Sequence, residues 1–210
     1  MATEVEISNL ALSHVGAHRI TLLTEATKEA RQCNLLYPFA RDAALRAHDW
    51  SFARKRVTLA LLPDLYSGWD FAYRYPTDCL VDRKIYDDTG AYTGTSYDVD
   101  NDAYRQVGKV EYEIAVNAAL DGKVILTNKQ DAELTYTAAV TNPNLFDSVF
   151  VEAFSWLLSS QLAVPLKGDS AMQQTHLNQH MLLINNAKVI SANEGNEKPR
   201  DVNCLVRSRS

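Results

Sequence analysis

The chain has 210 residues, of which 46% are hydrophobic and 22% charged, and its formal net charge is -5. This composition is close to the globular average, so it excludes a mostly disordered chain and allows one large domain or two small ones. The acidic residues are concentrated in residues 57–141, which contain 14 Asp and Glu and 7 Lys and Arg. This excess disfavours a conventional DNA-binding surface there, because carboxylates repel phosphate.

The cysteines and the N-terminus indicate a cellular compartment. Cys33, Cys79 and Cys204 are an odd set without CxxC spacing, so they predict neither a disulfide framework nor a zinc ribbon. Glu4 and Glu6 stand where a signal peptide would be basic, and no apolar run approaches the about 18 residues that cross a bilayer. We therefore expect a protein made in the cytoplasm, with no membrane partner.

Two helices are predicted first. Apolar residues recur at helical spacing from Glu4 to Val15, and Gly16 follows as a stop. Thr24 is the expected N-cap of a longer helical segment that reaches about His48. The first 56 residues are therefore predicted to supply one helix pair.

The long segment has an alanine-rich face. Its members are Ala26, Ala30, Cys33, Tyr37, Ala40, Ala44 and Ala47. Such small side chains favour close packing against another helix. Pro38 removes one backbone donor, which predicts a kink or a division into two helices near Tyr37.

An alternation of period two then predicts a β domain over residues 57–141. The alternating residues are Val57, Leu59 and Leu61, then Phe71, Tyr73 and Tyr75, then Val110, Tyr112, Ile114 and Val116, and finally Leu134, Tyr136 and Ala138. Lys123–Thr127 supplies a further strand after Gly122. About five or six antiparallel strands with hairpin spacing are expected.

Helical spacing returns after Asn142-Pro143-Asn144. It predicts a helix from about Val149 that Pro165 and Gly168 end, and a final helix from about 170 to 192. The predicted fold class is α+β: the helix pairs of residues 1–56 and 142–193 form a four-helix bundle with the β domain inserted between them. Residues 194–210 lack periodicity and are expected to form an extended C-terminal tail.

An acidic loop has part of a calcium-binding pattern. Asp98, Asp100 and Asp102 match the first three ligand positions of an EF-hand loop. Ala103 and Lys109 occupy the positions that need glycine and a bidentate glutamate. The pattern therefore favours a solvated acidic loop over a calcium site.

Other possible catalytic signals are weak. His176 and His180 have the spacing of a metal-binding pair of histidines. The glutamate of an HExxH motif is missing, and no third ligand is evident. The pattern therefore favours two polar residues on a solvated helix face over a metal site. Gly122-Lys123 resembles the end of a P-loop, yet Val124 replaces the Ser or Thr that would hold magnesium. Cys33 lies in the alanine-rich face and is interpreted as a packed thiol.

The most basic run follows two aromatic residues. Arg54-Lys55-Arg56, after Trp50 and Phe52, could contact nucleic acid, but three charges are few. The pattern favours a junction at which these side chains pair with acidic neighbours. We also expect Trp50 and Phe52, with Arg41 and Asp42, to set the angle between the helices and the β domain.

The N-terminal quarter of the chain resembles a known family. The residues that carry the resemblance are Val5-Glu6-Ile7-Ser8-Asn9-Leu10-Ala11-Leu12-Ser13-His14-Val15-Gly16, Glu29-Ala30, Cys33, Tyr37, Arg41-Asp42, Leu45-Arg46, His48, Trp50, Phe52-Ala53 and Lys55-Arg56. They resemble the tail tubular protein A family of short-tailed bacteriophages, an adaptor beneath the portal. The resemblance is good over residues 4–61, and only the order of elements carries over beyond them. Asp49 stands where the family often has proline.

The resemblance implies a structural virion protein of the head-tail junction, not an enzyme. It implies a ring of about twelve copies that joins the portal protein to the tail nozzle protein and lets double-stranded DNA pass through its channel. No catalytic, cofactor-binding or metal-binding residue is predicted. The residues expected to support assembly are Arg41, Asp42, Trp50, Phe52, Arg54, Lys55 and Arg56, and those expected to contact the portal or a neighbouring copy are Lys198, Arg200, Leu205, Arg207 and Arg209.

Three alternatives remain open at this point. The first is a head-completion or stopper protein of another phage tail type, which differs in ring symmetry. The second is a metal-dependent enzyme that uses His176, His180 and the acidic loop, and metal content distinguishes it. The third is a DNA-binding module, which predicts salt-sensitive binding to DNA.

Overall fold

The structure is a computed structural model that describes residues 2–64, 66–86, 96–98, 103–105, 110–117 and 122–194. Within these residues the protein is α+β, with four helices, two antiparallel sheets and a two-stranded ribbon. Contacts divide the chain into two compact units. The helical unit contains Val5–Tyr37 and the chain from Ser148 onward, and the strand unit contains Pro38–Asp147 and the residues before Val5. The four-helix bundle and the domain limits at residues 56 and 142 stay predictions.

Helix α1 (Glu4–Val15) has the predicted bounds. It ends at Gly16, whose φ of +67° is a left-handed conformation that favours glycine after a helix. Asn9 then fixes the following turn, because its side chain donates to the Ile20 carbonyl and accepts from the Ile20 N–H, both at 2.8 Å. Lys167 donates to the Gly16 carbonyl at 2.8 Å, which joins the end of α1 to the end of the third helix.

Helix α2 (Lys28–Ala47) begins later than the sequence indicated. The Ala30 N–H donates to Thr27 Oγ1 at 3.2 Å, so the cap is Thr27 and the prediction of Thr24 is wrong. The reason lies in Glu25, whose carboxylate accepts from the Thr21 and Leu22 N–H groups and holds the chain in a turn before the helix.

Pro38 does not divide α2, so of the two predicted outcomes the division into two helices is wrong and the kink stays a prediction. A proline inside a helix costs about 3 kcal/mol, and burial on both sides of Pro38 offsets that cost. The buried residues of the alanine-rich face are Ala30, Cys33, Tyr37, Ala40 and Ala44. Ala26 is exposed and lies before the helix, because α2 starts late.

Helices α3 (Ser148–Lys167) and α4 (Ser170–Glu194) pack side by side. Pro165 lies inside the last turn of α3, so the predicted stop there is wrong, and the chain leaves the helix at Gly168, with φ +69°. Because Pro165 lies close to the C-terminus of α3, it disturbs only the last turn of the helix. The Met172 N–H donates to Asp169 Oδ1 at 2.9 Å, which caps α4.

Helix α3 supplies the core of the helical unit. Its buried residues are Phe150, Ala153, Phe154, Ser155, Leu157, Leu158, Ser159, Ser160, Leu162 and Ala163. Tyr37 of α2 meets Phe154 edge to face, with ring centroids 5.0 Å apart. By length and composition alone α3 could cross a membrane, contrary to the sequence analysis, but a buried core helix of a soluble protein has the same composition.

The strands are β1 (Arg54–Thr58), β2 (Leu61–Leu62), β3 (Phe71–Arg74), β4 (Cys79–Tyr86), β5 (Ser96–Asp98), β6 (Ala103–Arg105), β7 (Tyr112–Val116), β8 (Lys123–Thr127) and β9 (Glu133–Ala138). One sheet has the order β1-β9-β4, the other has the order β2-β3-β8-β7, and β5 pairs with β6. All of these pairings are antiparallel. Strand β1 begins at Arg54, the first residue of the basic run, and thus earlier than Val57, where the alternation predicted the β domain to begin.

Strand β8 is central and buried on both faces, which explains its continuous apolar run. On one face Ile125 lies opposite Tyr73 and packs with Leu134 of β9. On the other face Val124 and Leu126 pack with Ala72. The strand unit therefore has an apolar cluster on each side of its larger sheet.

Candidate functional site

The basic run of β1 is fully paired. Its ion pairs are Arg54–Asp49 at 2.9 Å, Lys55–Asp78 at 2.8 Å, and Arg56–Glu133. The three cations are consecutive residues of β1. Their carboxylate partners come from three places: Asp49 follows α2, Asp78 precedes β4, and Glu133 lies on the adjacent strand β9. The predicted pairing of these cations with acidic neighbours is confirmed.

Asp78 joins the basic run to the sheet core. It accepts from Lys55 and from the Tyr136 hydroxyl, both at 2.8 Å. Although partial burial alone would raise it, these hydrogen bonds lower the pKa of Asp78 below its ordinary value. Burial and then the bond to Asp78 raise the pKa of Tyr136 to about 12, so its phenol stays a donor.

Arg83 connects the sheet to the chain that follows α2, and sequence reasoning missed it. Its guanidinium donates to Thr137 Oγ1 at 2.9 Å and to the His48 carbonyl at 3.0 Å. It also lies 3.9 Å from Asp49, which Arg54 contacts more closely. Asp49, the departure from the family pattern, thus organises two arginines. No local pattern marks Arg83, because its partners are distant in the chain.

Trp50 is a buried anchor, 4% exposed. Its Nε1–H donates to the Ala44 carbonyl at 3.0 Å, in the last turns of α2. The ring stands perpendicular to His48 at 4.8 Å, and Phe52 continues the cluster at 6.1 Å. Phe52 in turn lies 5.7 Å from Phe146. Trp50 and Phe52, the two aromatic residues predicted to support assembly, therefore lie in one cluster.

Arg41 and Asp42 pair with each other. The guanidinium of Arg41 contacts Asp42 Oδ1 at 2.8 Å through both Nε and Nη2. The Arg41 side chain is mostly buried, and that of Asp42 is about one-third exposed. Their expected action together with Trp50 and Phe52 stays a prediction.

Several predicted residues lie outside the described part of the chain. These are the tail residues Lys198, Arg200, Leu205, Arg207 and Arg209, with Asp100, Asp102 and Lys109 of the acidic loop. The backbone of Asp98 lies in β5, opposite Ala103 of β6. The predictions made for these residues remain predictions.

A histidine–tryptophan cluster in the helical unit was not predicted. The rings of His14 and Trp156 stack, with centroids 3.7 Å apart and an interplanar angle of 11°. His176 of α4 meets the edge of Trp156 at 5.2 Å. His14 Nε2 lies 3.3 Å from Ser155 Oγ. Because the Ser155 proton goes to the Glu152 carbonyl at 2.7 Å, Nε2 of His14 must be the donor.

The histidines of α4 are buried, so the interpretation of a solvated helix face is wrong. His176 is 7% exposed and His180 is 6% exposed, since this face of α4 packs against α3. His180 Nδ1–H donates to the Ala153 carbonyl at 2.8 Å, whereas Nδ1 of His176 has no partner among the described residues. Burial lowers the pKa of His180, and burial followed by the nearby His176 lowers that of His14.

The described residues contain no cluster of three or more His, Cys, Asp or Glu side chains placed to hold a metal ion. The cluster of His14 and His176 has ring centroids 6.5 Å apart, with Trp156 beside both. Burial, aided by Glu29, raises the pKa of Cys33 to about 12, so this thiol is a packed and unreactive group.

An open cavity of about 670 Å³ lies where β3 ends and β8 begins. Arg74, Lys123 and Asp64 contribute charged groups to its lining, and Tyr75 and Cys79 contribute polar ones. Lys123 Nζ stands 5.3 Å from the centroid of the Tyr75 ring. Sequence reasoning noticed Gly122-Lys123 only as an incomplete P-loop and missed the cavity.

Comparison with known proteins leaves this arrangement unassigned. No family model matches the chain, and no curated protein matches it. The function is therefore inferred from the residues of the chain and from their contacts.

Proposed function

We propose that this chain is a structural virion protein that assembles into a ring and connects the portal of a phage to its tail nozzle. The ring would hold about twelve copies and surround the channel through which the genome leaves. Its partners would be further copies of itself, the portal protein and the nozzle protein. The proposal rests on the resemblance over residues 4–61.

One structural observation supports the proposal most. The residues that carry the resemblance between 41 and 56 make internal contacts: Trp50 is buried under the end of α2, and the basic run is paired with carboxylates. Residues used in this way stabilise the fold, which is a structural role. Such a constellation favours a scaffold over an enzyme.

The outer face of α4 supplies a surface suited to subunit contact. Residues 170–190 contain one lysine and no acidic residue, which is unusual for a helix that water surrounds. The exposed apolar side chains on this helix are Met181, Leu182, Val189 and Ile190. Depletion of charge together with apolar area is typical of the centre of protein interfaces.

The charge balance is compatible with a DNA channel. The excess of acid over base in residues 57–141 would repel the phosphate backbone. A conduit benefits from weak attraction to its cargo, because bound DNA would slow ejection. Because Arg54, Lys55 and Arg56 are paired with carboxylates, the most basic run of the chain attracts DNA less strongly.

The decisive experiment is electron microscopy of the purified chain, alone and mixed with a cognate portal. We expect rings on portal particles, and the symmetry of these rings distinguishes an adaptor from a stopper protein. Light scattering with size-exclusion chromatography would report assembly in solution. No affinity of the chain for itself or for a portal would contradict the proposal.

A deletion tests the predicted tail. A chain shortened after residue 194 should keep its helical circular dichroism and melting behaviour but lose attachment to portal rings. A chain carrying a scrambled tail of the same composition is the matched control and should also fail to attach. Unchanged attachment of the shortened chain would refute a docking role for residues 195–210.

A further inference from the structure

The cavity at the end of the larger sheet is lined by two cations, Arg74 and Lys123. Arg74 and Lys123 make no ion pair within the described residues, in contrast to the cations of β1. Asp64 also lines the cavity and makes no ion pair with a described residue, so the net charge of the lining is positive. This positive cavity lies in the most acidic segment of the chain.

The side chains around Lys123 hold it at the cavity without neutralising it. The ammonium group stands over the Tyr75 ring at 5.3 Å, a cation–π arrangement. Tyr75 accepts a hydrogen bond from Cys79 Sγ at 3.1 Å. Burial, helped by this contact, raises the pKa of Tyr75, so the phenol adds no negative charge.

The charged donors of the cavity are side-chain cations. Phosphate sites in loops rely on free backbone N–H groups. Here the Gly122 N–H donates to Asn117 Oδ1, and the N–H groups of Tyr75 and Cys79 donate to backbone carbonyls. The guanidinium of Arg74 and the ammonium group of Lys123 supply the charged donors, and such groups form charge-assisted hydrogen bonds with carboxylates.

We propose that this cavity binds a carboxylate-bearing segment of a second copy of the chain. At about 670 Å³ it has room for several side chains, since one water molecule occupies about 30 Å³. Residues 57–141 of a neighbouring copy contain 14 acidic and 7 basic residues, so the net charge of that segment is opposite in sign to the two cations of the cavity. A cavity that meets a different surface of the next copy makes a head-to-tail contact, which can close into a ring. The inference depends on the proposed function.

Cys79 is a built-in reporter of anion binding. The test compares alkylation by iodoacetate, which carries a carboxylate, with alkylation by neutral iodoacetamide in a Cys204→Ser chain. In both reactions the Cys79 thiolate displaces iodide, and the buried Cys33 stays unreactive. We expect Arg74→Gln with Lys123→Gln to lower the iodoacetate-to-iodoacetamide rate ratio by about tenfold at low salt, the lower end of electrostatic focusing. An unchanged ratio would overturn the anion site.

Assembly tests the identity of the occupant. The double variant should lose ring formation on portals, whereas Arg19→Gln with Lys28→Gln removes the same charge from exposed positions that do not line the cavity and should assemble normally. Melting curves verify that each variant folds. Rings formed equally by the cavity variant would overturn this inference and leave the proposed function intact. If the unmodified chain forms no assembly at all, both fail.

Discussion

The two units use polar groups in opposite ways. In the strand unit, ion pairs such as Lys55–Asp78 join charged groups that water still reaches. In the helical unit the buried polar groups are neutral: Ser159 and Ser160 donate to carbonyls of their own helix, and His14 stacks on Trp156. Exposed pairs are weakened by salt, whereas buried neutral imidazoles respond to acid. The same chain should therefore contain two units with different sensitivities.

The largest expected effect comes from removing the aromatic anchor of the strand unit. Trp50→Ala should lower the free energy of unfolding by about 3 to 5 kcal/mol, because it empties a site that is 4% exposed and leaves the Ala44 carbonyl without its donor. Urea unfolding measures this loss. Trp69→Ala is the control, since Trp69 is only half-buried and should cost clearly less. Equal losses would mean that Trp50 is not an anchor.

The alanine-rich face of α2 offers a test of close packing. Ala40→Leu adds three carbons at a position with no exposed surface and should destabilise the chain by about 1 to 3 kcal/mol. Ala43→Leu places the same side chain on the exposed side of the same helix and should change stability by less than about 0.5 kcal/mol. Thermal melts of both variants decide the matter, and a neutral Ala40→Leu would show that the face has room.

Acid is expected to weaken the helical unit before the strand unit. Burial and then His176 lower the pKa of His14 below 6.5, and burial lowers that of His180. The unfolded chain then binds protons that the folded chain does not, so stability is full above pH 6.5 and falls as the pH drops below it. The lowered pKa of Asp78 acts in the same direction at lower pH: its contribution is present above 3.8 and is lost as the pH falls below that.

Hydrogen exchange resolved by segment measures this difference. Between about pH 7.5 and about pH 5 the amides of α3 and α4 should lose more protection than those of β8 and β9, after correction for intrinsic exchange rates. His14→Gln should reduce this pH dependence. His18→Gln, which changes an exposed histidine, should leave it intact. Equal loss in both units would show that the histidine cluster does not control acid sensitivity.

Local periodicity predicted those elements whose signals are local. The bounds of α1 follow from its apolar spacing and Gly16, and β7 and β8 from their alternation and apolar runs. Strand β4 was missed because Asp82, Arg83 and Lys84 are polar and because two irregularities in its pairing break the period of two. Proline was given too much weight at Pro38 and Pro165, where burial nearby or the end of a helix reduces its effect.

The sites were less predictable than the elements. The cavity is lined by residues of β2, β3 and β8 and of the segments beside them, and antiparallel pairing brings these strands, which are distant in the chain, together. His14 and His176 are likewise far apart in the chain, and their shared partner Trp156 gives no periodic signal. By contrast, the pairing of the basic run was predictable, since three adjacent cations in an acidic chain need nearby carboxylates.

The smallest expected effect is that of an exposed ion pair. Lys55→Met should raise the pKa of Asp78, because it removes a hydrogen bond that lowers that pKa, while the Tyr136 hydroxyl still donates to the carboxylate. Both charged side chains are more than one-third exposed, so the loss of stability should be small and vanish in about 1 M salt. Carboxyl-detected NMR titration and urea unfolding at two salt concentrations measure the two quantities. A larger loss that survives salt would mean that the strand unit, like the helical unit, depends on the packing of its polar side chains more than on their charge.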